Sequence, residues 1–255
     1  MATLLSKLVC GRWRTQTASG TTDLGDIFQH ISDSVDHVFG ELQALTNAGD
    51  TRLTILGPFL ARSLLELCAT ALIGRLDPMR LLVIRKVQQH AAYDRGTVWK
   101  STIRWQGDVV AEKVSALWDK RSEYKDMTKA LLGDYYEELF WRPALTHIVD
   151  RPEDGPPSTW LAQLKSAEPG RFTAQKRTEI SQLYTALSKG VHHEFVMPPG
   201  ALYDRQTVID LVQRAIHVIA DLAFVSHFIS HAPYRLRPSA AIRLLRQAED
   251  LEVIQ

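Results

Sequence analysis

The sequence predicts an all-α protein, an antiparallel helical bundle with long amphipathic helices and an irregular segment near 93–108. Apolar residues recur at spacings of three and four through most of the chain, and proline and glycine gather at a few sharp breaks. The period is lost in one stretch only, and no internal repeat is visible. The bundle is therefore read as a single helical domain, 1–255, with a candidate joint at 150–158 between two helical halves.

The opening MATLLSKLVC is too short and lacks the small-residue cleavage site of a secretory signal, so it predicts a short packing helix. In 23–48, Leu24, Ile27, Phe28, Ile31, Val35, Val38, Phe39, Leu42 and Leu45 form one stripe, with Asp33, Asp36 and Glu41 on the wet side. Asp50 or Thr51 opens the next element, and Pro58 sits in an early turn or kinks it. The run 59–76 is apolar around much of its circumference, so it should be central. Asp77 as N-cap and Pro78 at the first helical position then start a helix to about Ala91.

Between Tyr93 and Gly107 the pattern fits a loop or a short hairpin. Helix is expected again over 109–118 and 122–141, the second burying Met127, Leu131, Leu132, Tyr135, Leu139 and Phe140. DRPEDGPPS, at 150–158, is the strongest punctuation in the chain, a surface loop or the joint. Further helices are expected at 159–166, 173 to about 192, 204–232 and 239–254, with a break at Pro198-Pro199-Gly200.

Thirty basic against 29 acidic side chains leave a net charge of +1, which excludes a globally basic nucleic-acid binder. Two cysteines, Cys10 and Cys68, exclude a disulfide framework or a cysteine-based zinc site and fit a reducing, cytoplasmic location. The nearest approach to a bilayer span, 211–232, is interrupted by Gln213, Arg214, His217, Asp221, His227 and His231, so no membrane partner is expected. His227 and His231 have metal-ligand spacing but lack the accompanying glutamate of the zinc-protease helix, and no phosphate-cradling glycine loop appears. No cofactor and no metal are expected.

Charge is uneven along the chain. Lys7, Arg12 and Arg14 stand without an acid near one end, as do Arg235, Arg237, Arg243 and Arg246 near the other. In the middle, Arg75, Arg80, Arg85, Lys86, Arg95, Lys100 and Arg104 form a third basic stretch, interleaved with Trp99 and Trp105, a pattern that could grip phosphates and stack bases. The alternative is a solvated face or complementary protein contacts.

Two clusters could carry chemistry. In ISQLYTALSKGVHHE, Tyr184, Ser188 and His192 fall at i, i+4 and i+8, beside a buried stripe of Ile180, Leu183, Leu187 and Val191. His192 and His193 are candidate bases with Lys189 beside them; equally, imidazoles there can satisfy the last carbonyls of a helix. Arg62 and Glu66 lie four apart in LARSLLELCATALI, either as a surface pair or as a polar centre if Glu66 faces the Ser188 and His192 edge.

An Arg-x3-Glu pair in an apolar helix, followed much later by Tyr-x3-Ser-x3-His, resembles the divergent HEPN-like group of bacterial helical-bundle proteins over 50–76 and 173–232. Members commonly act as metal-independent ribonucleases in toxin and antiviral-defence systems through an Arg-x4-6-His motif across a dimer, and others serve as binding or regulatory subunits. Arg85 with His90 and Arg142 with His147 match the motif, but outside those segments and at the frequency chance provides. His192 has no matching arginine. The resemblance thus implies a non-enzymatic subunit or regulator of a defence or toxin-type assembly, working through a protein partner or as a homo-oligomer. The alternatives are a ribonuclease with His192 as base, aided by Lys189, His193, Arg62 or Glu66, and a nucleic-acid-binding adaptor using the Trp-bearing middle.

Overall fold

The computed structural model describes residues 3–13, 23–94, 101–112, 129–152, 155–189 and 203–251. These residues build an all-α bundle in which α1 (Leu4–Cys10), α2 (Asp23–Ala44), α3 (Asp50–Leu76) and α4 (Pro78–Gln89) are followed by a helical stretch over 134–149 whose last part is α5 (Arg142–Val149). Then come α6 (Thr159–Ser166), α7 (Phe172–Lys189), α8 (Arg205–Ser226) and α9 (Pro238–Glu249). There is no strand among the described residues.

The core is organised around α3, which packs against α2 on one side and α8 on another, with α7 and α1 also touching it. Leu53, Ala61, Leu64, Leu65, Cys68, Leu72 and Ile73 of α3 are buried, opposite Phe28, Val35, Phe39 and Leu42 of α2 and Val208, Val212, Ile216 and Ile219 of α8. Each large aliphatic or aromatic side chain so placed contributes about 1.5–3 kcal/mol through removal from water. Gly57 permits the close approach of α3 and α8, since a Cβ there would stand 2.5 Å from Val208 Cγ1. One continuous set of buried residues runs from Leu5 to Ala248, on both sides of the 150–158 loop.

Several boundaries follow local chemistry visible in the sequence. Thr3 caps α1 by accepting from the Ser6 amide, and its own hydroxyl donates to Asp36 Oδ1 at 2.6 Å, which fastens α1 to α2. Asp77 caps α4 through the Arg80 amide with Pro78 in the first turn, and Ser158 caps α6 through the Leu161 amide. α3 opens at Asp50 as the sequence suggests and runs unbroken through Pro58 to Leu76.

Other expectations are corrected. The expected helix over 122–141 is interrupted: residues 129–133 form turns and helix is found from Asp134, with Leu131 and Leu132 buried in that turn instead of on a helix face, while 122–128, with Met127, lie outside the described residues. Of the irregular middle, Trp105–Val109 is a π-type turn broken by Gln106 and Gly107, in place of a hairpin. The last long helix ends at Ser226, six residues before Ala232, because the His227 and Phe228 amides turn back to the carbonyls of Phe224 and Val225 and the chain reverses. Among the described residues the helix that has the length and apolarity to cross a membrane is α3, and half of its most apolar window is buried in this fold. α8, which holds the helical part of 211–232, is long enough but carries Asp210, Arg214 and Asp221 and does not meet that test.

Candidate functional site

Arg62 and Glu66 are one turn apart on α3, and Tyr184 projects from α7 onto the same spot. Arg62 Nε stands 3.1 Å from Glu66 Oε1, and Arg62 Nη2 donates to the Tyr184 hydroxyl at 2.6 Å. That hydroxyl donates in turn to Glu66 Oε1 at 2.9 Å, closing a triangle of three groups. The ring of Tyr184 is stacked against Trp105 at 4.1 Å between centroids and 10° between planes, and the Arg62 guanidinium carbon is 4.6 Å from its centre. Spacing along one helix placed Arg62 beside Glu66; packing of α3 on α7 supplied the third member.

The electrostatics of this centre favour a structural tie over a reactive one. Burial pushes the Tyr184 phenol above its ordinary range, reinforced by the hydrogen bond to Glu66 and the charge of that carboxylate, while Arg62 opposes. The phenol is therefore a neutral donor. Arg62 has its charge beside a carboxylate, and with side chains 29% and 45% exposed the Arg62–Glu66 pair sits at the rim of the core. A cation engaged in this way has to be released before it can steady a phosphorane.

The remaining candidates divide. Ser188 donates to the carbonyl of Tyr184 in its own helix at 2.6 Å, so it stays on α7 and does not join the triangle. Lys189 is exposed at the last described turn of α7. His192 and His193, the candidate bases, lie outside the described residues, as do Arg95, Trp99 and Lys100. Arg85 donates to the Asp23 carbonyl at 2.6 Å and pairs with Asp26 at 3.2 Å. Arg104 lies 3.6 Å from the buried Asp108, which also faces Arg80 and Lys129. Trp105 is 9% exposed and turns its face to Tyr184 rather than to solvent. Arg85, Arg104 and Trp105 are thus engaged within the fold. Among the described residues no group of His, Cys, Asp and Glu has the makings of a metal site, and His227 is buried with both ring nitrogens engaged.

A surface that sequence spacing did not single out lies on α4. Half of PMRLLVIRKVQQ is apolar, yet Leu81 alone among its residues is buried. Met79, Val83 and Val87, at i, i+4 and i+8, are 66%, 53% and 44% exposed and line a groove of about 580 Å³ with Leu82 and Tyr93. The signal was available in the helical period of α4, whose apolar residues fall on two faces while one face suffices for packing. Arg80, Arg85 and Lys86 beside the stripe are matched by Asp77, Asp26 and Asp23, so its cationic rim is neutralised from within the chain.

In comparison with known proteins, the chain matches no family model, no curated protein and no solved structure.

Proposed function

We propose that this protein is a non-enzymatic HEPN-like helical subunit or regulator of a bacterial defence or toxin-type assembly, and that it works by docking a protein partner on the outer face of α4. The observation that carries this reading is the exposed stripe of Met79, Val83 and Val87 on a helix with one buried residue. Three large apolar side chains in line are the anchor pattern by which one helix receives another. The HEPN-like part is supported by the meeting of Arg62, Glu66 and Tyr184, which joins the two segments that carry the resemblance.

The first partner to test is a second copy, because the neutralised rim sets no repulsion between two such faces. Light scattering across the micromolar range should report an oligomer, and the double variant Met79→Glu, Val83→Glu should be monomeric with unchanged helicity. A wild-type chain that stays monomeric throughout would overturn self-association on this face.

One observation favours the ribonuclease alternative: the acid and the guanidinium do meet the α7 edge, through Tyr184. Labelled RNA incubated with the protein in EDTA decides between the two. Cleavage that disappears on His192→Ala would sink the non-enzymatic reading; intact RNA sinks the other.

A further inference from the structure

A cleft of about 710 Å³ opens where the end of α1, the end of α5 and the turn between α8 and α9 come together. Its wall carries Arg12, Arg151, Arg235 and Arg237 against a single acid, Asp150. Arg235 and Arg237 are exposed, and neither stands within ion-pair distance of a carboxylate among the described residues. Exposed guanidiniums without a carboxylate partner, as at Arg235 and Arg237, are ready donors to an anion.

Two further features add positive potential to the same place. Arg237 is the N-cap of α9, which has no side-chain cap and no acid in its first turn, so the positive end of a helix 12 residues long faces the cleft uncompensated. Behind the wall, His227 lines the cleft and is bonded at 2.9 Å to Arg75, a wholly buried guanidinium. The partners of Arg75 are the Ser226 hydroxyl and carbonyl, the His227 ring and the Pro233 carbonyl, all neutral. No carboxylate offsets that charge among the described residues.

We propose that this cleft binds a small polyphosphate, the di- or triphosphate chain of a nucleotide-sized molecule. Two exposed arginines without a carboxylate partner among the described residues, beside an uncapped helix N-terminus, call for more than one negative charge, and the cleft has the volume of a small-molecule site rather than the length of a groove that tracks a strand. Phe228 and Leu236, both half-buried on its wall, offer an apolar edge to a base. None of its lining residues belongs to the α4 groove, so this site stands or falls apart from the docking proposal.

Isothermal titration calorimetry of the full chain in magnesium-free buffer tests it, with ATP, inorganic tripolyphosphate, adenosine and a single-stranded RNA oligonucleotide as titrants. ATP and tripolyphosphate should bind saturably, more weakly as salt rises, and adenosine should not. Equal affinities would assign recognition to the phosphate chain alone, and tighter ATP would add a base contact; both support the site. Arg235→Glu with Arg237→Glu, on an exposed turn, should weaken ATP by about tenfold or more at unchanged melting temperature, whereas Met79→Glu with Val83→Glu should leave it unaltered. ATP that fails to bind at millimolar concentration overturns the proposal. So does ATP affinity indifferent to Arg235 and Arg237, or RNA binding without ATP binding.

Discussion

Arg75 carries its positive charge in the interior with neutral partners only, and burial pulls its pKa down to about 9. His227 completes that centre as the Nε2–H tautomer. Its Nε2 donates to the Leu8 carbonyl at 2.8 Å, while Nδ1 accepts from Arg75 and from the Leu236 amide. Burial and the neighbouring guanidinium push the His227 pKa well below the ordinary histidine value. The unfolded chain binds a proton at this ring near pH 6.5, and the folded chain does not. Stability should therefore fall as pH drops below about 6.5, by up to roughly 1.4 kcal/mol per pH unit, and His227→Gln should remove that slope in urea melts between mildly acidic and neutral pH. Arg75→Met keeps the volume and removes an uncompensated ion, so its unfolding free energy should stay within about 1 kcal/mol of wild type or exceed it. Arg75→Ala should lose about 2–5 kcal/mol to a cavity; equal losses in the two variants would refute this account. Burial likewise raises the thiols of Cys10, to about 12, and Cys68, so neither should react with a thiol reagent until the protein unfolds. None of this was legible in the sequence, where Arg75 reads as part of the basic stretch that could grip phosphates.

At the scale of elements, α7 and α8 are joined by a second buried charge, this one compensated. Lys176 lies 2.6 Å from Asp221 and 2.9 Å from Glu179, and His217 stands 3.5 Å from Asp221 while stacking on Trp160 of α6. Burial raises the Asp221 pKa while Lys176 opposes it, so the lysine is what keeps a carboxylate tolerable there. Lys176→Met should cost about 3–5 kcal/mol, read as a lowered denaturation midpoint, and Lys176→Met with Asp221→Leu should recover much of it. Element existence was well marked by period and caps, as at Asp77-Pro78 and Ser158. Element ends were not: the apolar pattern after Ser226 continues through Phe228, Ile229 and Ala232, while the chain turns there through local amide bonds at His227 and Phe228 and the tertiary bonds of the His227 ring. The polar line of α7 shows the same limit for the site. The period aligned Tyr184 with Ser188, but only the longer side chain crosses to α3.

For the molecule as a whole, all-α architecture followed from periodicity, whereas the pairing of distant segments did not, because contacts between helices leave no local signature. The pairing with the greatest separation in sequence joins α1 to α8 and α9. α1 packs on α8 and α9 as well as on α2, the Arg12 amide donates to the Tyr234 carbonyl at 2.8 Å, and the left-handed Gly11 and Tyr234 meet there. A side chain at Gly11 would collide with that carbonyl, so Gly11→Val should destabilise by about 2 kcal/mol or more, from both the positive φ and the clash, as a lower melting temperature. This closure also bears on how the protein is made. The ribosome delivers Leu5, Leu8 and Val9 more than 200 residues ahead of the surfaces around His227 and Tyr234. During synthesis α1 can rest only against α2 and α3, the flank that meets α8 and α9 uncovered, until those helices emerge. Chains halted before His227 should therefore hold α1 open to protease, and docking of α1 should be among the last steps of folding.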